Sequence, residues 1–344
     1  MTALRVGAYD GTPAEWDAFV RRSPGWTHFH LWGWRPVLEE THGHQCPYLA
    51  ARDPNGVLMG VLPLVRVRSR LFGQYLVSMP FLNYGGPLGG DEAVRALAAE
   101  AVALGERYGV RLLELRSREP LPLDLPVSHR KITVMLDVPP GGPEALFEGF
   151  KAKLRSQIRR PEKEGVSVRW GRDQVGPFYA VFARHMRDLG TPTQPRRFFD
   201  AIAEAFAEDA WFGCAYLGET PVACGAGFRW GAEFEMTWAS ALVAYNRISP
   251  NMALYWAFAA RAAREGLALF NFGRCTPGSG THRFKQQWGG RDVPLHWYQH
   301  APGGHEAHTP SPDDGAYSWG PRIWKRLPVA LATALGPHIV RGIP

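Results

Sequence analysis

The chain has 344 residues, 45% apolar and 21% charged, with a formal net charge of +7 at pH 7. That apolar content excludes a chain too polar to bury a core, and at roughly 150 residues per domain the length fits about two domains. No run of about 18 apolar residues and no charged-then-apolar leader occurs, so neither a transmembrane helix nor a secretory signal is expected.

Residues 4–9 read as a short strand. Thr12, with Glu15 three residues on, has the pattern of a capping box, and Trp16, Phe19 and Val20 follow at helical spacing. A second helix is expected over 32–41. Residues 48–52 and 57–68 read as strands around Asp53-Pro54-Asn55-Gly56, which has hairpin chemistry. A strand over 75–81, a glycine-rich loop over 83–90 and a long helix over 91–108 come next. Strands over 111–116 and 131–138 complete the first half. Pro139-Pro140-Gly141-Gly142-Pro143 is the clearest break in the chain.

The second half repeats the rhythm. A helix is expected over 143–160, a strand over 166–170, and helices over 177–189 and 196–206. Residues 211–217, 221–230 and 233–240 read as a three-stranded meander. A helix over 249–266, a buried strand over 269–273, a short helix over 281–288 and a strand over 294–299 close the set. Residues 301–315 read as a loose loop rich in Pro and Gly. The repeated order predicts an α/β (α+β) architecture of two similar units, residues 1–140 and 141–300, followed by a C-terminal segment over 301–344.

Chemistry concentrates in a few places. Lys151, Arg155 and Arg159 recur every four residues beside an apolar stripe of Phe147, Phe150, Leu154 and Ile158, with Lys153, Arg160 and Lys163 adding charge. This ridge is either a solvated face or a site for phosphate. Pro161 should end or kink that helix. The densest patch is 271–289, where a strand ends in Gly273-Arg274 and a Gly/Pro/Ser loop leads to a helix bearing Arg283 and Lys285. The loop over 83–90 makes Gly85, Gly86 and Gly89 phosphate-loop candidates, or tight turns that need glycine. Cys46, Cys214, Cys224 and Cys275 form no CxxC pair, and the His28/His30 and His42/His44 spacings match no familiar zinc pattern, so no metal is expected. Scattered cysteines suit a reducing, cytoplasmic setting.

The chain resembles the FemAB-like branch of the GNAT superfamily over nearly its whole length, most closely the group associated with exosortase/PEP-CTERM systems. The resemblance rests on Phe29-His30-Leu31-x-x-Trp34, the stretch from Gly60 to Gly73, and Tyr84-Gly85-Gly86-Pro87. In the second half it rests on Lys153-x-Arg155-x-x-Ile158-Arg159, Asn251-Met252-x-Leu254-Tyr255-Trp256, Phe272-Gly273-Arg274 and Phe284-Lys285-x-x-Trp288-Gly289. It implies two tandem GNAT-like domains, each a mixed, mostly antiparallel sheet flanked by helices, here without a long coiled-coil arm. It also implies transfer of an aminoacyl or acyl group to an amine of a lipid- or nucleotide-linked envelope precursor. The co-substrate expected from the resemblance is aminoacyl-tRNA, with no permanently bound cofactor. The alternatives are an acyl-CoA-dependent GNAT N-acyltransferase on an amino sugar or small metabolite, and a non-catalytic membrane-associated binding protein.

By that resemblance Lys285 lies near the transferring ester, while Lys153, Arg155 and Arg159 lie near a phosphorylated acceptor. Lys285, Arg274 and Tyr255 are therefore the expected catalytic residues. Asn251, Tyr245, Arg283 and Trp288 join the substrate-binding set, and the segment 246–251 is an alternative pyrophosphate site. Cys275 reads as a small buried residue, which favours direct transfer over a covalent intermediate. Residues 319–343 carry Trp319, Ile323, Trp324, Leu327 and Leu331 beside Arg322, Lys325 and Arg326. That segment is either docked on the body or a foot on the inner membrane surface.

Overall fold

The computed structural model describes residues 4–69, 72–302 and 319–344. The described residues fall into two compact units. The first is drawn from Met1–Arg130, Pro294–Ser311 and His338–Pro344, and the second from Lys131–Val293 and Pro312–Pro337. In chain order the first unit begins with β1 (Arg5–Ala8), α1 (Pro13–Arg22), α2 (Trp34–His42), β2 (Leu49–Arg52), β3 (Leu58–Leu62), β4 (Val65–Ser69), β5 (Gly73–Val77), β6 (Leu88–Gly89), α3 (Asp91–Tyr108), β7 (Leu112–Ser117) and β8 (Val127–Ser128). The second holds β9 (Ile132–Asp137), α4 (Gly142–Gly149), α5 (Ala152–Lys163), β10 (Val166–Trp170), α6 (Val175–Leu189), α7 (Arg196–Ala205), β11 (Ala210–Leu217), β12 (Thr220–Trp230), β13 (Glu233–Ala241), α8 (Pro250–Arg264), β14 (Leu269–Cys275), α9 (Gly280–Gln286) and β15 (Arg291–Pro294). β16 (His296–His300), α10 (Trp319–Trp324) and α11 (Val329–Val340) complete the described elements.

In the first unit the strands form two sheets, ordered β1-β2-β3-β6 and β4-β5-β7-β16-β8. The single strand expected over 57–68 is divided between them. Pro63 has no N–H to donate to a ladder, so the chain breaks there and β4 enters the other sheet. Ala93, Leu97, Ala101 and Leu104 form a buried stripe on α3 and pack with Leu49, Leu62, Leu76 and Leu113. Thr12 Oγ1 accepts from Glu15 N as expected, but the Glu15 carboxylate turns to Tyr9 and Arg52, so only half the capping box forms. Inside β7, Arg116 Nε donates to Glu114 Oε1 at 2.7 Å, and Gln299 of β16 donates to the other carboxylate oxygen. Both charges are buried and paired, which is the condition for tolerating them in a core.

The second unit is one seven-stranded sheet, ordered β10-β11-β12-β13-β14-β9-β15. Successive residues of β11 show that both faces are covered. Trp211 stacks on Phe234 at 4.3 Å within the core that includes Phe258 of α8, whereas Phe212 meets Phe178 of α6 at 5.3 Å. The helix expected over 143–160 is two helices, because Phe150 and Lys151 are both extended (ψ 149° and 145°). Pro161 does not end α5, which continues to Lys163.

The compact units depart from the expected boundaries at 140 and 300. β9 belongs to the second sheet, with Leu269↔Asp137 and Phe270↔Leu136 in register, while Trp297 of β16 pairs with Arg116 of β7. The loop expected over 301–315 falls, beyond Pro302, outside the described residues. Within 319–343, α10 and α11 are docked on the second unit: Arg187 Nη1 donates to Leu327 O at 2.8 Å, and a Cβ on Gly190 or Gly336 would collide with Pro321 or Thr193. No helix among the described residues is long and apolar enough to cross a membrane.

Candidate active site where two strands part

β13 and β14 run parallel but share only the pairs Glu233↔Leu269, Phe234↔Phe270 and Glu235↔Asn271. Beyond that point β13 continues to Ala241 along β12, while β14 shifts register against β9 between Asn271 and Arg274. Gly273, with φ 73°, supplies the left-handed turn of backbone that redirects β14. The strands diverge in the middle of the sheet. Thr237, Trp238 and Ala239 are accordingly half-exposed, although they are central in a long strand whose ends are buried.

A buried polar cluster sits at the point of divergence. Asn271 Nδ2 donates to Glu233 Oε1 at 2.9 Å and to Glu235 Oε2 at 3.1 Å. Its Oδ1 accepts from the Thr133 hydroxyl and, at 2.8 Å, from Gly273 N. The carboxamide thereby uses both donors and two acceptor sites, and it ties β13, β14 and β9 together. Glu233 and Glu235 lie two apart on a strand and so face the same way. The sequence reading missed this cluster. The Glu-x-Glu alternation within an otherwise apolar strand was the available signal, but only the register of β14 brings Asn271 to it.

Lys285 sits in the last turn of α9 and is 3% exposed. Its Nζ donates to Gly273 O at 2.6 Å and to Arg274 O at 3.0 Å, on the redirected part of β14. An ammonium has three donors, which leaves one uncommitted among the described residues. Burial pulls this lysine down from 10.5 to about 8, against the opposing attraction of Cys275 and Glu235. Burial pushes the neighbouring Cys275 thiol up, so it is held protonated. The loop before α9 is fastened by His282. Its Nδ1 accepts from Gly278 N, which places its proton on Nε2, facing Asp292 at 2.9 Å.

The expected site residues are not all assembled here. Arg274 shares the redirected strand with the Lys285 contact. Arg283 is exposed and folds back onto Gly278 O. Tyr245 lies in the 3-10 turn Val243–Ile248 that follows β13, and Asn251 lies in the first turn of α8, its Oδ1 buried without a partner. Tyr255 and Trp288 are core residues instead. They are 6% and 1% exposed and pack with Phe272 and Phe284, and burial raises the Tyr255 hydroxyl far above its ordinary 10.

The basic ridge of α5 is likewise not one site. Arg155 caps α4 by donating to Glu148 O and Phe150 O. Arg159 lies over the Phe147 ring at 4.9 Å, beside a groove of about 710 Å³ between α5, β10 and α8. Lys153 is exposed, two residues from Arg155 and so on another side of the helix. The glycine loop of the first unit borders a cleft of about 250 Å³. Its glycines answer to packing: a Cβ at Gly85 would strike Met79 and one at Gly89 would strike Met59 O. Gly85 N is already donated to Arg116 O, and Gly86 O accepts from His30 Nε2. Gly85 N–H is therefore already committed within the fold.

Residues 149–286 match the model of the acetyltransferase (GNAT) domain. The matched segment contains the strand divergence and the Lys285 cluster. Solved structures with a similar fold include FemX, at TM-score 0.63 and 14% identity, covering 86% of this chain and 97% of that one. L-PGS from Bacillus licheniformis aligns at TM-score 0.58 and 13% identity over 98% of each chain. A tandem GNAT protein from the clavulanic acid biosynthesis pathway aligns at TM-score 0.55 and 14% identity, covering 88% of this chain and all of that one. That likeness supports two GNAT-like domains, as the repeated element order implied. A search of curated proteins finds no match.

The Asn271 amide gives a direct stability test. Asn271→Ala leaves two buried carboxylates without their shared donor and should cost about 2–4 kcal/mol in denaturant unfolding. Asn271→Asp places a third carboxyl group among them and should cost more. Unfolding midpoints equal to the parent chain would remove the amide from its holding role.

Proposed function

We propose that the second unit is an N-acyltransferase that seats an acyl thioester of the acyl-CoA class between the parted ends of β13 and β14 and transfers its acyl group to an amine of a cell-envelope precursor. The single observation that carries this reading is the divergence itself. It leaves the backbone of β13 beyond Glu235 without a β14 partner, and an extended donor arm can add there as a strand. The segment that follows supports the same reading. Residues 242–251 lead straight into the N-terminus of α8, hold Arg247 and no carboxylate, and suit the phosphates of such a donor.

In this reaction the acceptor nitrogen attacks the donor carbonyl carbon. A C–N bond forms and the carbonyl oxygen takes up negative charge. Collapse breaks the C–S bond, and the proton lost by nitrogen ends on the departing sulfur. Lys285 is the residue we assign to the oxyanion through its uncommitted N–H, while its other two bonds keep β14 parted. A preorganised donor of this kind is worth roughly 3–4 kcal/mol of transition-state stabilisation. Cys275, a buried thiol, has no covalent role.

A second reading keeps the FemAB-type donor, an aminoacyl-tRNA, and the net charge of +7 favours it. Thermal-shift titration separates the two. Acetyl-CoA should raise the melting temperature saturably and charged tRNA should not; the reverse result replaces the first reading with the second.

The pH profile tests Lys285. Below about 8 it is charged in the folded protein, and above that it loses its proton. If its cation holds the oxyanion, kcat/KM should fall as pH rises through about 8. In Lys285→Arg the guanidinium stays charged, so that fall should move to higher pH. Lys285→Ala should lose at least about 100-fold at pH 7. A rate that climbs through pH 8 in the parent chain, or near-normal turnover in Lys285→Ala, would end the assignment.

A further inference from the structure

The first unit holds a second concave site that the transfer chemistry does not use. It is a pocket of about 500 Å³ at the β4–β5 hairpin, bounded by the turn after α2 and by Arg341 from the end of the chain. We propose that this pocket binds a small, soluble phosphorylated ligand carrying at least two negative charges, gripped by Arg66, Arg68 and Arg341.

The charge argument comes first. Among the described residues, three guanidinium groups line the pocket and no carboxylate does. Among the described residues none of the three takes part in a salt bridge, whereas Arg35, Arg52, Arg95, Arg107, Arg116 and Arg118 of the same unit do. Like charges gathered without counter-charge repel one another and cost stability. An anion relieves that cost, and guanidinium forks match the oxygens of a phosphoryl group.

The site is also preorganised. Arg66 Nε and Nη2 donate to Gln74 Oε1 at 3.2 and 2.7 Å, and Nη1 donates to Gln45 Oε1 at 3.0 Å. Its plane rests over the Tyr108 ring at 4.1 Å. Neutral amides and a ring thus fix this guanidinium without cancelling its charge. Arg341 is delivered by a close contact one residue on, since a Cβ at Gly342 would lie 2.7 Å from Ser69 Oγ. At the inner wall His44 is 7% exposed, with its Nε2 buried and lacking any partner. Its ring is stacked on His42 and Phe81. Burial, the neighbouring His42 and Arg341 hold it far below 6.5, at about 3, so it is a neutral imidazole that adds no competing charge to the wall.

The lining narrows the ligand class. Among the described residues it consists of glycine and polar or basic side chains, with no apolar wall and no aromatic face. A polar molecule such as a sugar phosphate or a polyphosphate suits it better than a nucleotide or an acyl chain.

Isothermal titration of the full chain with inorganic pyrophosphate, at fixed ionic strength and neutral pH, tests the proposal. The parent chain should bind saturably. The double variant R68Q/R341Q changes two exposed residues and should fold as the parent does. Its affinity should drop by at least about tenfold, as expected for losing charge-assisted bonds to phosphate. Its thermal shift with acetyl-CoA should be unchanged, which keeps this result separate from the acyl-donor reading. No saturable pyrophosphate binding, or equal affinity in R68Q/R341Q, would overturn the proposal. Binding of phosphatidylglycerol vesicles that the double variant abolishes, without any pyrophosphate binding, would also overturn it by making a lipid headgroup the source of the anion.

Discussion

The carboxamide of Asn271 holds two parallel strands together at the place where they separate. Its two N–H groups bind carboxylates of β13, and its oxygen binds the hydroxyl of β9 and the backbone of β14. Past this clamp a parallel ladder would ordinarily continue. Here Gly273 turns away, and Lys285 ties the diverted carbonyls to α9. A sheet that opens in its middle exposes hydrogen-bonding backbone, which is costly unless something else pairs with it. In the proposed reading, an acyl donor with an amide-bearing arm meets that requirement.

The electrostatics follow from the same clamp. Glu233 and Glu235 bring negative charge into a core, and Lys285 is the buried cation that faces it. Lys285 loses part of its proton affinity to burial but keeps its charge at neutral pH. A buried ammonium held by two carbonyls has little freedom to reorient, so its remaining donor is aimed before any substrate arrives. Such preorganisation is what makes a donor effective toward developing charge. Tyr255, Phe272, Phe284 and Trp288 pack on one another as an aromatic cluster beside α9.

Much of this fold could be read along the chain. The meander expected over 211–217, 221–230 and 233–240 is β11, β12 and β13, and the helix expected over 249–266 is α8. These elements carry strong periodicity and clear turns. What could not be read was pairing at long range. Nothing local to residues 131–138 says that they join β14, or that 296–300 return to β7, so the unit boundaries were misplaced by about ten residues. Lys285 stood out because a lysine beside a glycine-rich loop is conspicuous. Asn271, Glu233 and Glu235 did not, because their meaning lies in a register set by tertiary structure. Tyr255 and Trp288 misled in the opposite direction: motif membership placed them in the site, whereas their size and their neighbours place them in the core.

Backbone hydrogen exchange measured with and without acetyl-CoA tests the parted strands most directly. Amides of 236–241 that face the gap should slow markedly when the donor binds, together with those at the start of α8. Unchanged exchange over 236–241, with protection appearing only in the glycine loop of the first unit, would contradict the account.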